Sequence, residues 1–224
     1  MKTIRNIVFD LETIPGEHKP DISEVSVPSN YKNPETIAKY QQENVDKQWR
    51  DQAKSFIHGR IHTIAWKVDT EPTQSIWHDG TDEEGLMHRW EEALVKTFEK
   101  HYGSTTLYGV TWVNHFIQTF DMPFVWLRAR KYKCKKLIKM LGESPRDIKM
   151  EDTARWVVLN NYGKLVSLDD ACKLFGLPGK GDFNGSMVCD AWLRGENEKI
   201  GLYGKDDVDK TYNLAVALGI IEPE

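Results

Sequence analysis

The chain has few cysteines. Cys134, Cys172 and Cys189 are odd in number and show no CxxC spacing. That argues against a disulfide framework or a cysteine-built zinc site and suits free thiols in a reducing compartment. No apolar run approaches the roughly 20 residues that a membrane span needs, so no membrane partner is expected. The start, MKTIRNIVFD, has no signal-peptide h-region and runs straight into a strand-like segment, so a cytoplasmic location is expected. Repeats, coiled-coil heptads and low-complexity tails are missing as well. So is an excess of positive charge: 30 Lys and Arg stand against 34 Asp and Glu, a formal net charge of −4. A generic polyanion binder would normally be basic, which leaves local concentration of positive charge as the route to any such partner.

What is present suits a globular protein. The 224 residues are 40% hydrophobic and 29% charged, enough for one sizeable core and, by default, one domain. Residues 4–9 (IRNIVF) read as a short apolar strand ending at an acidic pair, Asp10 and Glu12. Residues 13–60 interrupt the pattern with Pro15, Pro20, Pro28 and Pro34, then a polar stretch. They read as a loop followed by one or two exposed helices, an insertion in the domain. IHTIAWKV alternates and is rich in β-branched residues, so it is a strand, with QSIWHD as its hairpin partner. TDEEGLMHRWEEALVKTFEKHY has Thr81 as candidate cap, and Leu86, Trp90, Leu94 and Phe98 recur every four residues, which predicts an amphipathic helix.

TTLYGV predicts another strand. NHFIQTFDMPFVWLRARKYK is helical apart from Pro123, so a helix either starts near Asp121 or kinks there. KMEDTARWVVLN is a helix or a strand–helix join, and SLDDACKLFGL is a short helix capped by Ser167. PGKGDFNGS is a loop, and EKIGLYGKDDVDKTYNLAVALGI is a long final helix. Strands early and helices late suggest a mixed sheet between helical layers, an α/β/α arrangement.

Four acids in separate segments carry the chemistry: Asp10 and Glu12 in VFDLET, Asp121 in FIQTFDMPF, and Asp207 in LYGKDDV. Side chains alternate along a strand, so Asp10 and Glu12 project to one side. Residues four apart on a helix share a face, so Tyr203 and Asp207 point together. Clustered carboxylates repel and are costly to bury unless cations neutralise them. Holding two hard divalent metals is the reason to gather four, and a metal pair roughly 3.5–4 Å apart is the usual device for cutting a phosphodiester.

The three patterns, in this order, resemble those of the DEDD (DnaQ-like) superfamily of 3′–5′ exonucleases. The tyrosine subtype fits, near enzymes related to the proofreading domain of family-B DNA polymerases. FDLET matches the first motif, FDMPFVWLRARKYK the second and YGKDDV the third. The histidine subtype would place His where Leu202 stands. The proline-rich insertion, the GRIHTIAW strand and the GLPGKGDFNGS loop extend the resemblance over nearly the whole chain. It implies a ribonuclease H-like fold and an enzyme taking nucleotides from a 3′ end by a two-metal mechanism, with two Mg²⁺ ions or Mn²⁺ as substitute. Asp10 would bridge both metals, Glu12 and Asp207 would complete one, and Asp121 would support the other. Tyr203 would orient the attacking water.

One position departs from the family pattern. The Asn that usually stands five residues before the second-motif Asp is here Phe116, within Asn114-His115-Phe116. Either Asn114 takes the displaced role or another residue does. The departure bears on substrate contact more than on metal binding.

Other candidates are less specific. RARKYKCKKLIK contains Arg130 and six other basic residues with no acid, and it reads as a phosphate-tracking patch or as an exposed helix face. Lys180 could reach a phosphate, although its loop lacks the nucleotide P-loop pattern. In the family, the residues after the first motif contact the terminal nucleotide. That implicates Thr13 and Ile14, with Ile14 as core filler the competing reading. His58 and His62 read as structural, His115 as a surface or packing residue, and Trp112 as a candidate for base stacking. The expected substrate is mainly single-stranded DNA. RNA trimming and a catalytically silent binding module are the alternatives, and a separate polymerase or replication and repair factor is the protein partner.

Overall fold

The computed structural model describes residues 6–102, 109–159, 164, 166–179 and 181–222. In chain order the elements are β1 (Asn6–Ile14), α1 (Pro34–Asp51), β2 (Arg60–Val68), β3 (Gln74–Trp77), α2 (Glu83–Tyr102), β4 (Thr111–Asn114), α3 (Asp121–Lys131), α4 (Lys135–Leu141), β5 (Lys149–Asp152), α5 (Thr153–Val157), α6 (Leu168–Leu174), α7 (Val188–Leu193) and α8 (Asn197–Ala217). The strands form one sheet in the order β3-β2-β1-β4-β5. β1 pairs antiparallel with β2 and parallel with β4, so the sheet is mixed and β1 is its central strand. This is the expected α/β architecture, a sheet flanked by helices and consistent with a ribonuclease H-like fold.

Strand alternation assigns the two faces of β1. Ile7, Phe9 and Leu11 enter the large core built with α2, α3 and α4, where Trp90, Trp112 and Phe124 are wholly buried. Val8 enters a smaller core on the other face, with Val208 and Ala215 of α8. Asp10 and Glu12 follow Val8 at the two-residue period, so they lie on the α8 face.

Two glycines let α8 settle there. A Cβ on Gly204 would stand 3.2 Å from the Ala65 Cβ, and one on Gly201 would stand 2.7 Å from the Trp77 ring. The close approach brings Tyr203 and Asp207 down onto the sheet. A buried ion pair holds the opposite layer. Arg128 of α3 meets Glu83 of α2 at 2.9 Å, and it also donates to the carbonyls of Phe56 and Gly59. These extra bonds offset the desolvation of two buried charges and fix α3 against the start of β2.

The 13–60 segment does form a loop and one long exposed helix. Asn33 caps α1 by accepting from the Glu35 amide at 2.8 Å, and Pro34 occupies the first helical position. Trp49 alone in α1 is buried, and its indole N–H donates to the Gly16 carbonyl.

Several expectations need correction. β1 does not end at the acidic pair but continues to Ile14, because Asp10 and Glu12 still pair with Ala65 and Thr63 of β2. The irregularity comes after them, between Glu12 and Thr13. The cap of α2 is Asp82, not Thr81: its carboxylate accepts from the Gly85 amide at 2.8 Å, while Thr81 bonds Asp79. Of the two expectations for Pro123 the first holds: α3 starts at Asp121, which leaves Pro123 in the first turn, where a missing N–H costs nothing. Most of TTLYGV lies outside the described residues, and the described strand begins at Thr111. Trp112 is wholly buried in the main core, so it cannot stack on a base. The short helix α7 was not foreseen.

Candidate active site

A cavity of about 310 Å³ opens where β1, β4, the start of α3 and α8 converge. It is lined by Asp10, Leu11, Glu12, Asn114, His115, Phe116, Phe120, Asp121, Ser167, Leu168, Tyr203 and Asp207. All four predicted carboxylates and the tyrosine therefore share one chamber. Oxygens of Asp10, Glu12 and Asp207 lie within 4.8 Å of one another. Glu12 and Asp207 are buried, at 7% and 5% exposure, and Asp10 is half-buried. Three carboxylates this close, mostly removed from water, are an all-oxygen donor set that fits a hard divalent cation.

Asp121 is the first residue of α3 and is 2% exposed. Its Oδ1 accepts from the Leu11 amide at 3.2 Å. Burial first, and then the Asp10 charge, push its pKa well above the ordinary carboxylate range, with Asp152 adding to the shift. The Leu11 and Asp121 amides oppose it. Asp121 thus sits in a field that penalises its ionisation beside Asp10, which bound cations would relieve.

The Tyr203 phenol is held neutral. Burial raises its pKa most, followed by the charges of Glu12, Asp207 and Asp10 and by a hydrogen bond with Asp207. A neutral phenol beside carboxylates is a hydrogen-bond donor aimed at oxygen. Phe183 packs against its ring, with centroids 5.0 Å apart.

Asn114 closes β4 and is 1% exposed. Its Oδ1 accepts from the His115 amide, while its Nδ2 is buried with no hydrogen-bond partner. An orphaned buried donor on a cavity wall is costly unless a ligand takes it up. His115 is packed as expected. Its Nε2 donates to the Val166 carbonyl at 2.8 Å, leaving Nδ1 to Thr153 Oγ1 at 2.9 Å. That latch joins β4 to α5 and to the segment before α6.

Thr13, Ile14 and Arg130 do not line this cavity. Thr13 Oγ1 donates to the Ala53 carbonyl at 2.7 Å, and Ile14 is wholly buried. Arg130 donates to the Glu143 carbonyl at 3.0 Å and lies over the Trp126 ring. Lys180 lies outside the described residues. Conversely, Leu11, Phe120, Ser167 and Leu168 line the cavity without having been named as site residues, Ser167 having been read only as a helix cap. Phe116 was noticed in the sequence only as a departure from a motif.

Residues 59–222, well over half of the chain, match the profile of the family described as "Predicted 3'-5' exonuclease related to the exonuclease domain of PolB". The chain belongs to this PolB-exonuclease-related family. Its matched segment includes Asp121, Tyr203 and Asp207 and begins after Asp10 and Glu12. Among solved structures, the family B DNA polymerase from the hyperthermophilic archaeon Pyrobaculum calidifontis aligns with a TM-score of 0.59 at 17% identity, over 97% of this chain and 25% of that one. The likeness shows the fold, and the chain spans about a quarter of that polymerase's length. No curated protein sequence matches the chain. Among the described residues, no helix is long and apolar enough to cross a membrane.

Proposed function

We propose that this family member is a tyrosine-type DEDD 3′–5′ exonuclease that removes nucleotides from the 3′ end of mainly single-stranded DNA. The observation that carries the reading is the convergence of Asp10, Glu12 and Asp207 to within 4.8 Å. A bound cation would relieve that repulsion.

Asp10, Glu12 and Asp207 would hold divalent metal, two Mg²⁺ ions or Mn²⁺ in their place, with Asp121 supporting the second ion. Bound metal would lower the pKa of an attacking water and neutralise charge on the attacking and leaving oxygens. The protein's own groups supply position. With Asp207 engaged by metal, the Tyr203 phenol, kept protonated, would turn its one donor from Asp207 to the water and orient it. Asn114 Nδ2 offers a donor to the terminal nucleotide, a contact that satisfies an otherwise orphaned amide. Phe120 and Leu168 give the cavity apolar lining beside the carboxylates. Thr13, Arg130 and Lys180 stand as candidate contacts to the strand beyond it, whereas Ile14, wholly buried, is core filler and not a contact. A separate polymerase or repair factor would supply the ends to be trimmed.

A 3′-labelled single-stranded oligonucleotide with Mg²⁺ or Mn²⁺ tests this. Wild type should release label, and Asp10→Ala should not. Parallel DNA and RNA strands decide the sugar. Binding without turnover under both metals would mean a silent module.

A further inference from the structure

Phe116 combines three properties that core packing does not explain. Its φ is 68°, the left-handed region that a bulky L-residue rarely occupies. Its ring lines the catalytic cavity and is only half-buried. It also belongs to none of the buried apolar clusters among the described residues, whereas the neighbouring Phe120 packs on the main core.

The unfavourable backbone is held from both sides. The Phe116 amide donates to Asp152 Oδ1 at 2.9 Å, and its carbonyl accepts from the amides of Thr119 and Phe120. Asp152 is buried at the end of β5 and also caps α5 through the Ala154 amide at 3.0 Å, so the clamp is rigid. The His115 ring backs the Phe116 ring edge-on, with centroids 4.5 Å apart. Strain of this kind persists where the surroundings over-determine it, and it clusters at ligand contacts.

We propose that Phe116 stacks on a nucleobase at the 3′ end of the substrate strand, with Asp152 as the positioning residue that presents it. The inference rests on the exonuclease reading. A nucleotide has a charged phosphate and a flat apolar base, and the cavity has both counterparts. Carboxylates stand on the α8 face of β1, and Phe116, Phe120 and Leu168 supply apolar lining. Stacking is blind to base identity, because every base has a π-face, and it requires an unpaired base. The same ring therefore accounts for a preference for single strands.

The test measures kcat and KM on single-stranded oligonucleotides whose last or penultimate nucleotide is normal or abasic. For wild type, removing the stacked base should raise KM about tenfold. In Phe116→Gly and Phe116→Leu the abasic-to-normal KM ratio should fall toward 1, through a raised KM on the normal strand. Phe116→Tyr and Phe116→Trp should keep the wild-type ratio. Thermal unfolding supplies an independent readout. Glycine accepts φ 68° without strain, so Phe116→Gly should melt at or above wild type. A ring that merely packed would instead cost roughly 10 °C on removal. Such a loss, or a glycine variant that degrades both strands with the wild-type ratio, would overturn the stacking role while leaving the exonuclease reading intact. A wild-type protein that leaves every labelled end untouched with both metals would remove both.

Discussion

The Leu11 amide donates to Asp121 Oδ1 across 110 residues of sequence, at 3.2 Å. One hydrogen bond thus ties the acidic segment of β1 to the first turn of α3. It partly offsets burial and the Asp10 charge, which still hold the Asp121 pKa well above the ordinary carboxylate range.

Asp121→Asn should separate stability from activity. The amide keeps an oxygen for Leu11 and drops the charge. The folded pKa of Asp121 lies above its unfolded value, so its ionisation subtracts stability as pH rises above the unfolded carboxylate range. At neutral pH without divalent metal, the variant should melt a few degrees higher than wild type, at about 2–4 °C per kcal/mol for a chain of this size. Its nuclease activity should fall about 100-fold or more. Differential scanning fluorimetry with EDTA and the oligonucleotide assay check the two halves.

Tyr203→Phe keeps the ring against Phe183 and removes only the hydroxyl. We expect kcat to drop roughly 10–100-fold with little change in KM, the mark of a group that acts in the reaction and not in ground-state binding. Steady-state kinetics with Mg²⁺ and with Mn²⁺ show the split.

Gly204 should accept no larger side chain without loss. A Cβ there would sit 3.2 Å from the Ala65 Cβ and 3.9 Å from Glu12 Cγ. Gly204→Val should cost about 1–3 kcal/mol by overpacking and lift Asp207 away from Asp10 and Glu12. Urea denaturation reports the first effect. A weakened response to added Mn²⁺ in thermal shift reports the second.

Two buried histidines set an acid limit. Burial first, and then the charge of His78, push His62 down to about 4. His78 is also lowered, chiefly by burial, while its Nε2 donates to the Ile61 carbonyl and its Nδ1 accepts from the Gly80 amide. In the unfolded chain both titrate near 6.5. Below that pH the unfolded state binds protons that the folded state resists, so stability is full above about 6.5 and falls as pH drops toward 4. The His62 part is on the order of 3 kcal/mol at most. Melting temperatures from pH 7.5 to 4 should show this decline, and His62→Gln should flatten it.

The sequence showed much of this because period and motif are local. The hydrophobic rhythm of α2, the Ser167 cap of α6 and the order of the acidic segments could all be read directly. The Asp170 amide does bond Ser167 Oγ, at 3.1 Å. The end of β1 was misjudged because two carboxylates look like solvent-facing termini until β2 and α8 are placed beside them. Trp112 illustrates the converse: an aromatic near the motifs looked available for stacking, but β4 is an interior strand and turns it into the core. Phe116 faces the cavity because of Asp152, a hydrogen-bond partner 36 residues away that no local pattern announces.

The central claim is that Asp10, Glu12 and Asp207 gather around divalent metal. A crystal soaked with Mn²⁺ and measured for anomalous scattering tests it most directly. The account predicts a peak bonded to oxygens of all three carboxylates, with Asp121 beside a second, and loss of both in Asp10→Ala. Manganese bound elsewhere, with these carboxylates empty at saturating metal, would contradict it.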